Sequence, residues 1–430
     1  MRTLLVASVA CFMAAGFVTV ATPITHGATA VNSASSGQAT PLAIVGATVI
    51  DGATAPPLTD ATVVVSGGRI ATVGPRHEID VPDGATVIDG AGRFLIPGLW
   101  DAHAHLSYWG EDALARLVAA GVTSIRELGG DPDEIAGWRD AIRAGERVGP
   151  DIWWCGPFLE GPNPGAEYRW EVEGPEAARE AVRELASRGV DFLKVQPLIG
   201  RPEVEALVAE AREHDLSVVG HVPRGMSALE ASAIGLRSVE HVSPYLGLAE
   251  GELEAVARTY VANGTWMSPA LYSMATAIAG AGADPETDPR MAEARAAVLR
   301  LQRAGVGLLV GSNFAFREWT QQPGSGLHQE MRALTAAGLE PWIVLQAATA
   351  GAAEFLGVGE ERGTITPGKV ADLVLLRADP LIDIGALAEI DVVVLRGTLL
   401  DAATLARLAS EGPAAPIPRP YVSLGNVGGE

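Results

Sequence analysis

His103-Ala104-His105 closes an apolar run, Phe94-Leu95-Ile96-Pro97-Gly98-Leu99-Trp100-Asp101. If that run is a strand, residues i and i+2 face the same side, and the two imidazoles converge on one point. Neutral imidazoles at that spacing suit a divalent metal such as zinc. Taken alone, the pair reads equally as two unrelated histidines, one of them packed in a core. Further candidate ligands follow downstream: Lys194 in Phe192-Leu193-Lys194-Val195, His221 in Val218-Val219-Gly220-His221, and His241 in Val239-Glu240-His241.

These residues need a scaffold, and the middle of the chain supplies one. Short apolar runs recur at 98–101, 122–127, 152–156, 192–195, 217–220, 238–240, 265–268 and 308–312, separated by Ala-, Glu- and Arg-rich stretches such as 175–188 and 202–214. Strands alternating with helices over a span of about 260 residues predict a (β/α)8 TIM barrel, whose usual size is ~250 residues. Active residues in such barrels sit at the C-terminal ends of strands. His103, His105, Lys194, His221 and His241 all fall late in a run or just past its end. His77 lies in a polar turn, His214 at a helix end, and His328 reads as structural or as support behind the site.

Before the barrel, residues 42–96 are β-like, with runs at 43–50, 61–65 and 69–73 between Gly, Pro and Asp turns. A similar pattern returns at 371–376 and 391–395. We therefore expect an α/β chain in which 97–361 form the barrel, while 42–96 and 362–412 build one small β-sandwich domain from both ends. Arg2, the apolar run from Leu4 to Val20 and Ala28-Thr29-Ala30 predict a signal peptide over 1–30 and a secreted protein. Residues 31–41 read as a polar linker and 413–430 as a loose tail. The apolar run is short for a membrane span, so no stable membrane association is expected after processing.

The net charge of −21, from 52 acidic against 31 basic residues, argues against nucleic-acid or anionic-membrane partners and leaves a small-molecule substrate as the expected partner. Of those basic residues only Lys194 and Lys369 are lysines. Where arginine replaces nearly every lysine, a surviving one invites a chemical reason. Processing would leave Cys155 as the one cysteine, so no internal disulfide is expected, and Ile152-Trp153-Trp154-Cys155 reads as a buried strand.

On residues 95–105, 192–195, 220–223 and 238–241, together with Gly363-Thr364-Ile365-Thr366-Pro367-Gly368-Lys369-Val370-Ala371-Asp372-Leu373-Val374, the chain resembles the amidohydrolase superfamily. The likeness, over about 42–410, is to its binuclear-metal prolidase-like and imidazolonepropionase-like hydrolases. The resemblance implies two divalent metal ions, with zinc expected. His103, His105 and an aspartate at the eighth strand would hold the deeper ion, His221 and His241 the other, and a carbamylated Lys194 would bridge them. Carbamylation needs a neutral primary amine, which arginine cannot offer. The implied chemistry is attack of a metal-activated water on an amide carbonyl, the aspartate carrying the proton to the leaving nitrogen.

One position departs from that pattern. The eighth run reads Leu309-Val310-Gly311-Ser312-Asn313-Phe314, with Asn313 where the family's aspartate is expected. An amide can lend a weak oxygen ligand but cannot act as a base. Asn313 is therefore an introduced inactivating change, a natural change with altered chemistry, or the mark of a binding-only protein. Glu318, close in sequence, is a candidate substitute base. Aromatic residues follow the predicted strand ends: Tyr108, Trp109, Phe158, Tyr168, Trp170, Tyr245, Phe314, Phe316 and Trp319. They suggest an apolar or aromatic substrate group, or equally the packing of a lid. Arg224, Arg169 or Arg317 could pair with a substrate carboxylate. The expected substrate is a small dipeptide or N-acyl amino acid, with a homo-oligomer as the possible assembly. The alternatives are hydrolysis of a lactone, ester or organophosphate on the same site, and a catalytically weak binding protein.

Overall fold

The β-branched runs near the N-terminus form strands, because branched side chains pack well on a pleated surface. In the computed structural model, which describes residues 40–53, 56–162, 167–315 and 322–410, these are β1 (Leu42–Val49), β2 (Leu58–Ser66), β3 (Arg69–Pro75), β4 (Thr86–Asp89) and β5 (Phe94–Pro97). Gly67 and Gly68, both at positive φ (57° and 79°), make the two-residue turn that joins β2 to β3. The middle of the chain gives β6 (Leu99–Ala104), β7 (Val122–Glu127), β8 (Asp151–Trp154), β9 (Phe158–Glu160), β10 (Arg169–Glu171), β11 (Phe192–Val195), β12 (Ser217–Gly220), β13 (Leu236–Glu240) and β14 (Trp266–Ser268). The C-terminal part gives β15 (Leu373–Leu376), β16 (Ile390–Leu395) and β17 (Thr398–Leu400).

Both ends of the chain meet in one mixed sheet of eight strands, ordered β17-β16-β15-β5-β1-β2-β3 with β4 also on β1. The join is β5 antiparallel to β15, with Leu95 opposite Leu375 and Ile96 opposite Val374. Ile44, Val63, Ile70, Leu95, Leu373 and Val394 form its apolar face. The strands form one continuous hydrogen-bonded ladder, which does not by itself establish the expected sandwich. Lys369 holds a turn beside it, donating to the Gly359 carbonyl (2.6 Å) and to Thr364 Oγ1 (2.7 Å).

The middle strands pair in parallel, as expected where helices fill the connections. They stand as a three-stranded sheet, β6-β7-β8, and a six-stranded sheet, β10-β9-β11-β12-β13-β14. The expected closed eight-stranded ladder is not continuous. The eighth run pairs only at single residues, Leu308 with Met267 and Phe314 with Ala104. Its backbone still bridges the two sheets: Leu309 N donates to Met267 O (2.8 Å), Ala102 N to Val310 O (2.9 Å), and Asn313 N to His103 O (2.7 Å). The irregularity has local causes. Asn313 takes a positive φ of 51°, and Gly311 lies so close to β6 that a Cβ there would meet His103 Cβ at 2.3 Å. β9 and β10 were not expected from the sequence, being too short to stand out of a loop.

Among the described residues no helix is long and apolar enough to cross a membrane. The expected signal peptide, most of the linker, the tail, and the candidates Phe316, Arg317, Glu318 and Trp319 lie outside the described residues.

Candidate active site

The site is built on strand ends. His103 sits in β6 with no solvent exposure, and His105, just past its end, is buried at 5% exposure. Each ring is held through Nδ1: His103 Nδ1 lies 3.0 Å from Glu240 Oε2, off the line of a regular hydrogen bond, and His105 Nδ1 lies 3.1 Å from the Gly129 carbonyl. The tautomer with its proton on Nδ1, facing these acceptors, would leave Nε2 as the free lone pair of each ring, the arrangement metal-binding imidazoles adopt. His103 Nε2 stands 3.5 Å from Lys194 Nζ, which is itself buried at the end of β11. His241 packs against both His103 and His221, at ring-centroid distances of 4.9 and 4.5 Å. His221 and His241 are half-buried, so they form the more open side of the cluster. His241 holds a positive φ of 66°, a strained backbone for a non-glycine residue and one that recurs at functional sites.

Electrostatics keep the imidazoles neutral. Burial, with the nearby Lys194 charge and neighbouring imidazoles, pushes His103, His105 and His221 well below the ordinary histidine value. Burial and Lys194 bring His241 to about 4. Burial also brings the Lys194 amine down to about 8. Glu240 behaves differently: burial opposes its charge, yet Arg126, Lys194 and the Ser238 hydroxyl together hold it below the usual carboxylate range.

Several residues that shape this cluster escaped sequence reasoning. Arg126 donates from Nη2 to Glu240 Oε1 (2.7 Å), from Nη1 to Ser238 Oγ (3.0 Å) and from Nε to the Ala102 carbonyl (2.6 Å). Asp101 accepts from Ser312 N (2.9 Å) and Ser312 Oγ (2.6 Å), tying the eighth run to β6. Glu127 accepts from Leu106 N (2.7 Å) and Gly129 N (3.1 Å), fixing the loop that carries His105. Charged residues inside otherwise apolar strand runs were the available signal. Gly311 belongs with them, and Gly311→Ala is expected to push His103 aside. The cost should be roughly 1–3 kcal/mol, read as a lower denaturation midpoint with weaker metal retention.

Asn313 lies at the end of the eighth run, 8% exposed, its Nδ2 donating to Ser273 Oγ (2.8 Å). Among the other candidates, Tyr108 stands edge-on to His105 at 6.1 Å and is half-buried. Phe158 lies 5.4 Å from the same ring. Arg224 is exposed on the loop after β12. Three residues expected to line a substrate pocket are instead core: Trp109 packs edge-on against Phe314 at 6.4 Å, and Tyr245 against Tyr260 at 6.2 Å, all buried. Their apolar area is used in packing between elements, the lid-packing alternative. Arg169 is engaged by Glu160 at 3.1 Å over the Phe158 ring. Cys155 is buried and free of disulfides.

His328 is structural. It is buried, and its Nε2 donates to the Ala120 carbonyl at 2.9 Å. Burial lowers its pKa to about 4. The unfolded chain therefore binds a proton that the native state refuses, and stability falls as pH drops from about 6.5 towards 4. His328→Gln keeps a donor and removes this loss, on the order of 3 kcal/mol by pH 4. Wild-type and variant denaturation curves should diverge in slope only over that window.

Among the described residues no three His, Cys, Asp or Glu side chains are placed as a finished ligand group for a metal ion. The cluster fits such a role in residue type, neutrality and orientation. His221 Nδ1, buried and without a hydrogen-bond partner among the described residues, is a further donor atom in search of an acceptor or ion. The parallel α/β scaffold thus carries four imidazoles and a lysine at or near its strand ends. The amidohydrolase family model matches residues 94–400, and the chain belongs to that family. It is thereby a hydrolase acting on carbon–nitrogen bonds. It is 28% identical to an adenine deaminase 3 of Rhizobium meliloti (strain 1021), over 79% of this chain but only 54% of that protein, about half its length. It is 27% identical to an ochratoxinase of Aspergillus niger, over 77% of this chain and 80% of that one. Among solved structures it is similar to a putative prolidase from Bifidobacterium longum, with TM-score 0.71 and 27% identity, over 87% of this chain and 99% of the other.

Proposed function

We propose that this chain is a secreted, metal-dependent amidohydrolase that cleaves the amide bond of a small dipeptide or N-acyl amino acid carrying an apolar or aromatic group. The observation that carries the reading is the ring of four neutral imidazoles around the buried Lys194 amine, with Nδ1 of His103 and His105 engaged from behind. His103, His105 and Asn313 would hold one divalent ion, His221 and His241 the second, with a carbamylated Lys194 between them. Bound ions would supply a water acidic enough to ionise near neutral pH and would polarise the scissile carbonyl. The protein's own contribution is placement and exclusion of water, with Tyr108 and Phe158 walling the side next to His105. Residues 97–361 would act as the (β/α)8 unit, with 42–96 and 362–412 as its flanking domain. The prolidase-like and ochratoxinase relatives support an amide substrate. Asn313 favours a second reading, a site that binds metal and substrate but turns over slowly, since its amide cannot take a proton.

Elemental analysis of the full chain should find two equivalents of a divalent metal. Chelation should lower the melting temperature and abolish any turnover on a panel of N-acyl amino acids and dipeptides. A protein that binds no metal and stays inert with aspartate at 313 overturns the hydrolase reading.

A further inference from the structure

The loops that follow β6 and β7 are tied to each other across the site, and one buried carboxylate carries the tie. Leu128 N donates to the Ala104 carbonyl (2.9 Å) and Asp131 N to Ser107 Oγ (2.9 Å). Between these two bonds stands Glu127. Its Oε2 accepts from Leu106 N, the residue after His105, and its Oε1 accepts from Gly129 N, whose own carbonyl faces His105 Nδ1. Glu160 and Glu240, the other buried glutamates beside the cluster, are each paired with an arginine. Glu127, at 1% exposure, has no ion pair among the described residues. Burying a carboxylate without a cation is costly, so a charge kept at this position invites a chemical reason.

Gly129 supplies one. Its φ of 131° is open to glycine alone, and a Cβ there would meet the Phe158 ring at 2.5 Å. A glycine has little conformational preference of its own, so outside bonds must fix where its carbonyl points. The peptide that bears the carbonyl is otherwise tied by a long bond, from Gly130 N to Gly156 O at 3.3 Å. A carbonyl only accepts, so its contact with His105 requires the ring proton on Nδ1 and leaves the lone pair on Nε2. We infer that Glu127 is a positioning residue: by holding Gly129 N and Leu106 N together, it keeps the Gly129 carbonyl on His105 Nδ1 and so sets the His105 tautomer. The inference rests on the proposed metal-dependent function only for what that tautomer is used for.

The test reads the tautomer directly, by proton–nitrogen NMR of the full chain with isotope-labelled histidines, His105 being assigned from the spectrum of H105Q. Metal is first removed with a chelator, so that no ion dictates the ring form. Spectra are taken at about pH 9, above the value of about 8 to which burial raises the Glu127 carboxyl. The unaltered chain should show His105 with its proton on Nδ1. E127Q offers one acceptor and an NH2 group to two N–H donors, so it should move a large part of the ring population to the Nε2–H form. E127D keeps both oxygens on a shorter arm and should shift the ring less. S107A loosens the same pair of loops without touching Glu127, and should lower the denaturation midpoint while leaving the tautomer in place. Loaded with zinc alone, E127Q should hold its first equivalent about tenfold or more weakly, the scale on which such supporting partners act. The inference is overturned by a ring that carries its proton on Nε2 in the unaltered chain, or that stays on Nδ1 in E127Q. A shift in S107A equal to that in E127Q, or zinc held equally by E127Q and the unaltered chain, overturns it too. Should E127Q fail to fold, E127D decides: an unshifted ring there has the same force. A chain that takes up no zinc at all strikes the metal-dependent reading and leaves the tautomer result standing.

Discussion

Asn313→Asp is expected to raise turnover on the best N-acyl amino acid or dipeptide substrate by about 10²–10⁴-fold, the usual contribution of a positioned acid–base group. The fold is already set for the change. Asn313 has φ 51°, in the left-handed region where Asn and Asp are both enriched, so the backbone does not distinguish them. The side chains are nearly isosteric, and the amide's contact with Ser273 Oγ, at 2.8 Å, can be kept by a carboxylate. A serine hydroxyl can accept from an amide or donate to a carboxylate by rotating, so stability should move little. Asn313→Ala separates the explanations, because it removes the side chain without adding a base and should leave turnover at or below the parent level. A further sign is the pH profile: the aspartate form should gain an acidic limb that the parent lacks. If Asp and Asn forms turn over alike at equal metal content, position 313 is not where the proton goes.

Sequence patterning located the ends of this site better than its middle. The strand runs at 122–127, 192–195, 217–220 and 238–240 reappear in β7, β11, β12 and β13 because apolar, β-branched segments bounded by turns report strand formation directly. The H-x-H pair was legible for the same reason, since period-two geometry fixes which side chains converge. The eighth run was legible as a position but not as a strand: the close approach of Gly311 to His103 and the left-handed Asn313 break its ladder, and neither depends on hydrophobic pattern. The aromatic residues misled because an aromatic after a strand end serves a pocket wall or a core equally well, and only packing decides. Trp109, Phe314 and Tyr245 went to the core, while Tyr108, one residue from Trp109, stayed beside His105. The buried charges were least legible. Nothing in Val122-Thr123-Ser124-Ile125-Arg126-Glu127 says that Arg126 crosses to β13 to meet a carboxylate 114 positions away.

That crossing carries the other large expected effect. Arg126 and Glu240 are 1% and 0% exposed, and Glu240 stands between the guanidinium and His103. Glu240→Gln should destabilise the fold by about 3–5 kcal/mol, the cost of leaving a buried charge without its partner. It should also do something a loss of stability does not explain. A glutamine that accepts from Arg126 through its oxygen presents its NH2 group to His103 Nδ1, which must then become the acceptor, and the ring proton moves to Nε2. The lone pair facing Lys194 is lost, so metal retention should fall by about 10–100-fold, the scale on which such supporting partners act. The double variant Arg126→Met, Glu240→Leu tells the two effects apart. Replacing a whole buried pair by apolar groups of similar volume is often neutral, so the double variant should recover much of the stability lost in Glu240→Gln. It should not recover metal affinity, because no acceptor remains behind His103 to direct its tautomer. Urea denaturation and chelator competition, run on both variants, read the two quantities separately. Metal affinity that returns together with stability would show that Glu240 merely balances Arg126 and does not orient His103.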